Sequence, residues 1–154
     1  MKDPHLEIER KFLIAKLPRT LARYPHQKIA QGYLSVGRDK SHVRLRRAGR
    51  VCTLTFKRGP ARAREEREIR LTPGQFAILW PATAGFRLTK TRYHVPWKKL
   101  TIEIDIYRGS NEGLTVAEVE FPDVATYHSF QPPDWVGDEV SGASRYSNVK
   151  LARD

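Results

Sequence analysis

Cysteine is nearly absent: Cys52 is the single one in 154 residues, which excludes an internal disulfide framework and a zinc site built from thiolates. Long apolar runs are missing as well. None approaches the ~18 residues of a membrane-spanning helix, and Met1 to Leu6 carries charge with no hydrophobic segment behind it. Neither a signal peptide nor a membrane span is expected, and the cytoplasm is the expected compartment. The five histidines, at 5, 26, 42, 94 and 128, show no spacing that pairs them as metal ligands on one helix or strand. A metal here would be held by oxygen. Repeats, low-complexity tracts and linkers are also lacking, so one domain is expected over residues 1–154.

Positive charge is in excess. Lys and Arg number 28 against 17 Asp and Glu, a net charge of +11, with an isoelectric point near 10.1. Such a balance favours a polyanionic partner, whether nucleic acid, acidic lipid or a phosphorylated small molecule.

Eight segments alternate polar and apolar residues with period two, as half-buried strands do. They are 6–14, 29–36, 41–48, 50–58, 64–71, 86–95, 100–107 and 114–121. Between the fifth and sixth, Thr72 reads as an N-cap and Pro73 as the first helical residue, with Phe76, Leu79 and Trp80 apolar and Pro81 as the stop. A second short helix is expected from Asp123 with Val124, Tyr127 and Phe130 inward, and a last helical stretch from about Ser144. Eight antiparallel strands strain as an open sheet, so a closed barrel is the economical architecture. The basic connection 58–67 reads as a turn at Gly59-Pro60, either a solvated hairpin tip or a collector of anions.

The polar faces of these strands carry the information. Glu7, Glu9 and Lys11 share one face of the first strand, which sets two carboxylates about 7 Å apart. Arg44 and Arg46, Lys57, Glu66 and Glu68, Lys90 and Arg92, Glu103 and Asp105, and Glu118 and Glu120 occupy the equivalent faces of the others. Ordinarily such a face meets water. Same-sign doublets at i and i+2 nonetheless recur on six of the eight strands, and like charges so close destabilise a sheet unless neighbours or bound ions neutralise them. This face holds eight of the 17 acidic and six of the 28 basic residues, so the surplus of positive charge lies elsewhere. A mixed-sign interior suits a site that holds both a hard cation, through oxygen, and an oligophosphate, through Arg and Lys.

The ordered series EIERK, VRLR, TFK, REERE, KTRY, EID, EVEF and RYSN resembles the CYTH family, the triphosphate tunnel metalloenzymes, along nearly the whole chain. The resemblance implies an α+β, mainly β fold: an eight-stranded antiparallel closed barrel with its charged faces turned into a tunnel and its apolar faces outward beneath helices. It implies divalent metal, Mg²⁺ or Mn²⁺, held by Glu7, Glu9, Glu118 and Glu120, with Glu103 and Asp105 in support. It places phosphate on Lys11, Arg44, Arg46, Lys57, Lys90 and Arg92. In the catalysis it implies, Lys11 is paired with Tyr33, and a second metal or a carboxylate from Glu66, Glu68, Glu103 or Asp105 orients the attacking water. Lys150 in RYSNVKLA departs from the small or apolar residue the family often has there, and it reads either as a further phosphate contact or as a solvated helix-end lysine.

The implied activity is metal-assisted hydrolysis of a triphosphate, where positioning and charge neutralisation supply the rate. Inorganic tripolyphosphate, cleaved to pyrophosphate and phosphate, is the expected substrate, because no pocket for a base or thiazolium ring is visible and Trp80 and Trp135 read as packing residues. The alternatives are a class IV adenylyl cyclase, a thiamine triphosphatase, and a non-catalytic module that binds polyphosphate or RNA. The expected partner is a small triphosphate, with neither nucleic acid nor membrane. An exposed edge or the tryptophans would serve a homodimer, whose existence the sequence does not decide.

Overall fold

A computed structural model describes residues 3–60 and 63–153. Ten strands, all paired antiparallel, form one sheet: β1 Leu6–Glu7, β2 Glu9–Ile14, β3 His26–Val36, β4 His42–Ala48, β5 Val51–Arg58, β6 Arg64–Leu71, β7 Arg87–Trp97, β8 Leu100–Tyr107, β9 Thr115–Glu120 and β10 Val136–Glu139. Their order is β1-β6-β5-β4-β3-β7-β8-β9-β2-β10.

This order corrects the expectation of a closed eight-stranded barrel. The sheet is open, with β1 at one edge and β10 at the other. The physical reason lies in the first strand, which breaks at Ile8. Leu6 and Glu7 pair with Glu65 and Arg64 of β6, whereas Glu9 to Leu13 pair with β9. The run thus crosses from one flank to the other without joining them in a continuous ladder. The segment 136–139, not expected as a strand, covers the free side of β2. At the connection 58–67, β5 extends to Arg58 and β6 begins at Arg64, and Ala61 and Arg62 lie outside the described residues.

Period-two patterning gives the sheet two faces of opposite character. On the outer face, Ile8, Phe12, Val95, Ile102, Ile104, Ala117 and Val119 pack with Phe121, Tyr127 and Phe130 into the largest buried cluster. Helix α2, Val124–Ser129, lies on it, capped by the Asp123 carboxylate, which accepts from the Thr126 N–H. Tyr127 and Phe130 point inward as expected, but Val124 is exposed because it occupies the first helical turn, away from the sheet. A second outer cluster joins Leu45, Cys52 and Phe76 under helix α1, Pro73–Leu79. Thr72 and Gln75 close a capping box at its start, and a 3-10 turn Trp80–Thr83 follows. Thr83 seats against Gly32, where a Cβ would lie 2.6 Å from its side chain, so only glycine lets this turn approach β3.

The inner face is charged over most of its area but apolar at one end. There Leu13, Tyr33, Leu88, Tyr107 and Val116 pack with Val149, Leu151 and Ala152 of the C-terminal segment, which contains helix α3, Asn148–Leu151. The Tyr107 hydroxyl donates to Asn148, and the Asn111 amide donates to the Leu151 carbonyl at 2.7 Å, fixing α3 over this end. No described helix is long and apolar enough to cross a membrane.

Candidate active site

The charged inner face and the C-terminal segment enclose a cavity of about 980 Å³. Cross-strand register explains why the charges meet there. Glu9 faces Glu120 and Lys11 faces Glu118 between β2 and β9, and Glu118 faces Glu103 between β9 and β8. Arg92 faces Asp105 between β7 and β8, Gln31 faces Arg46 between β3 and β4, and Lys57 faces Glu66 between β5 and β6. Directly opposed residues share a face, so each charged doublet of the sequence is brought onto the same surface.

Of the fifteen residues expected at the site, all but Lys90 and Asp105 line the cavity. Those two lie fully buried beneath it, with Lys90 Nζ 2.7 Å from Asp105. Asp105 also accepts two hydrogen bonds from Arg92, at 2.7 Å each, from Nε and Nη2. Arg92 reaches Glu103 at 2.6 Å and Glu118 at 3.5 Å as well, so three carboxylates surround it. Burial pushes the Lys90 ammonium down to about 7 against the attraction of Asp105, whereas burial of Asp105 is outweighed by Arg92 and Lys90, which hold its carboxyl low.

At the β1–β6 flank, Lys57 Nζ donates to both oxygens of Glu7 at 2.9 Å and lies 3.0 Å from Glu66. Burial would raise Glu7, but the hydrogen bond with Glu66 and the Lys57 charge hold it far below the usual carboxylate range. Glu66 is pushed up to about 7 by burial and by its hydrogen bond with Glu7. Glu9 rises to about 8, first through burial and then through the negative charges of Glu118 and Glu7. Lys11 Nζ donates to the Tyr146 carbonyl at 3.0 Å and lies 3.3 Å from Glu118. Tyr33 instead accepts from Gln31 and packs on His42 and Phe86, so Lys11 and Tyr33, paired by the resemblance, have different partners here.

Arg44 and Arg46 are compensated differently from Arg92. Arg44 donates to Thr55 Oγ1 at 3.3 Å, and Thr55 in turn donates to Glu68 at 2.6 Å. Arg46 donates twice to the Gln31 carbonyl oxygen, at 3.1 and 3.0 Å. Three buried side-chain atoms lack a hydrogen-bond partner among the described residues: Arg44 Nε, Arg64 Nε and Glu118 Oε1.

Charge counting missed several lining residues. Arg64, Lys40, Arg153, His42 and His94 also face the cavity. The signal for Arg64 and His42 was available, since each shares strand parity with an expected residue, Glu66 and Arg44 respectively. Lys150 is exposed at the cavity rim, and its backbone N–H is capped by Ser147.

No family model matches the chain. The inorganic triphosphatase of Nitrosomonas europaea is 41% identical over 149 residues, 95% of this chain and 96% of that protein. The chain belongs to the CYTH family of triphosphate tunnel metalloenzymes. A second family member, the inorganic triphosphatase of Acetivibrio thermocellus, is 34% identical over 152 residues, 96% of this chain and 94% of that protein. A crystal structure of an inorganic triphosphatase superposes with a TM-score of 0.71 at 37% identity, covering 100% of this chain and 97% of the other. Divalent-metal dependence goes with this family, yet no group of three or more His, Cys, Asp or Glu is assembled as a ready ion cage among the described residues.

Proposed function

We propose that this CYTH protein hydrolyses inorganic tripolyphosphate to pyrophosphate and phosphate, with Mg²⁺ or Mn²⁺ as cofactor. The observation that carries the reading is the partition of charge inside one cavity. Arg44, bonded to Thr55 and 3.9 Å from Glu68, and Arg46, bonded to Gln31, line it from β4, and Glu9, Glu118 and Glu120 line it from β2 and β9. The two relatives that match nearly full length are both inorganic triphosphatases.

The residues fit a hard divalent cation in chemistry. All the acidic donors are carboxylate oxygens, and Glu118 Oε1 is buried with no hydrogen bond among the described residues, its ion-pair partner Lys11 Nζ lying 3.3 Å away. Glu7, Glu9, Glu118 and Glu120 would hold the ion, with Glu103 beside them. When bound, it would neutralise phosphate oxygens and polarise the phosphorus.

The chain's own part is positioning and exclusion of competing charge. Arg44 and Arg46, with Lys57, Lys11 and Arg92 nearby, hold the phosphate oxygens. Glu68, fixed by Thr55, orients a water, with Glu66 close by. The water oxygen bonds to the terminal phosphorus as the bridging P–O bond breaks. The water proton passes to a carboxylate, and pyrophosphate leaves. Lys90 is left out of the clamp because Asp105 occupies its ammonium beneath the cavity floor.

The test supplies tripolyphosphate, ATP and thiamine triphosphate with each metal and measures orthophosphate, and from ATP also pyrophosphate and cyclic AMP. Rapid orthophosphate release from tripolyphosphate is expected. Cyclic AMP from ATP would assign a cyclase, and tight salt-sensitive binding without turnover would assign a binding module.

A further inference from the structure

We propose that Gln31 is a positioning residue, which aims the Arg46 guanidinium at the substrate phosphates while leaving its charge uncompensated. The inference rests on the reading of Arg46 as a phosphate clamp.

Gln31 lies on the inner face of β3, fully buried and directly opposite Arg46. Its Oε1 accepts from Arg46 Nε and Nη2 at 3.1 and 3.0 Å. The orientation of the amide is forced, because a guanidinium has donors only and must meet the carbonyl end. The Gln31 amide nitrogen is thereby turned to the Tyr33 hydroxyl, 3.3 Å away. One edge of the Arg46 fork is locked, and its remaining N–H groups are left for the cavity it lines.

The choice of a neutral acceptor is what matters. The same two guanidinium nitrogens of Arg92, Nε and Nη2, are held by a carboxylate, Asp105, with Glu103 and Glu118 adding further negative charge. Arg92 is therefore locked and neutralised together. Arg46 is locked by an amide, with the cations Arg44 and Arg92 near it and, among the described residues, its side-chain hydrogen bonds going to Gln31 and to no carboxylate. Burial first, then those two cations, lower the Arg46 guanidinium to about 10 against the weaker attraction of Asp105, whose carboxylate is already bonded to Arg92 and Lys90. A phosphate supplies a directly bonded anion. A carboxylate at position 31 would preserve the geometry and cancel the charge, so shape and electrostatics are separable by exchanging one NH₂ for an oxygen.

The experiment compares Gln31→Glu, Gln31→Met and Arg46→Ala, singly and with each Gln31 change combined with Arg46→Ala. Tripolyphosphate KM, kcat, calorimetric Kd and thermal midpoint are measured for each. Gln31→Glu should hold or raise the thermal midpoint, through its new ion pair, while raising KM and Kd about 10-fold. Gln31→Met should raise KM by loss of aim, and neither change should weaken binding further once Arg46 is alanine. A wild-type KM and Kd in Gln31→Glu, or effects that simply add to those of Arg46→Ala, would overturn the positioning role. If Gln31→Glu does not fold, the Gln31→Met pair decides on the same criterion. Unaltered binding in Arg46→Ala alone would instead overturn the clamp on which the inference stands.

Discussion

Glu9 and Glu120 are direct cross-strand partners on β2 and β9, two carboxylates at the same step of the ladder. Like charges so placed oppose sheet formation. The proton affinity of Glu9 is raised, first by burial and then by the negative charges of Glu118 and Glu7. A bound cation would offset this negative charge.

Replacing Glu9 by Gln should therefore act in two directions. Activation by Mg²⁺ or Mn²⁺ should weaken severely, seen as a large rise in the metal concentration for half-maximal activity. The metal-free protein should gain about 0.2–1 kcal/mol from the lost repulsion, read as a higher thermal midpoint in chelator. Wild-type metal dependence in this variant would remove Glu9 from the ligand set.

Asp105 neutralises two buried cations at once. Asp105→Ala removes the ion-pair partner of the fully buried Lys90 and leaves it beside Arg92, which keeps only Glu103 and Glu118, and should cost about 3–5 kcal/mol. Urea unfolding measures the loss, and a change below ~1 kcal/mol would contradict the arrangement.

His42 is held down to about 4 by burial, with Arg44, Lys57 and Arg64 adding to the effect and the Lys40 carbonyl opposing it. Its proton affinity is lower in the folded than in the unfolded chain, so the stability it contributes is present above pH ~6.5 and lost as pH falls through ~4. Compared with His42→Gln, the wild type should lose up to about 3 kcal/mol between those limits. Parallel stability curves for the two proteins would refute the assignment.

Phe121 is 1% exposed on the outer face, between Tyr127 and Phe130. Phe121→Ala should destabilise by about 3–5 kcal/mol and leave KM for tripolyphosphate unchanged at temperatures where the variant is folded. A KM shift there would show that the outer core and the cavity are coupled.

The inner face was legible because parity is a strict rule: Glu7 with Glu9, Arg44 with Arg46 and Glu118 with Glu120 each share one surface. Helix α1 was legible for a local reason, the Thr72 and Pro73 start. Depth was not. Lys90 and Arg92 have the same parity, yet only Arg92 reaches the cavity, because position along a curved sheet depends on the strands around it. Closure was misread for a similar cause. The alternation of residues 6–14 carries no mark of the break at Ile8, which is set by pairing to two different strands. The sequence VGDE of β10 has no apolar alternation, and its ladder to β2 is irregular. Gln31 escaped notice because it is uncharged, and only its contact with Arg46 gives it meaning.

The apolar packing of Tyr33, Leu88, Tyr107 and Val116 under α3 gives one end of the inner face a hydrocarbon surface. Hydrocarbon offers a polyanion no compensating charge, so an oligophosphate would be confined to the charged stretch of the inner face, away from that end.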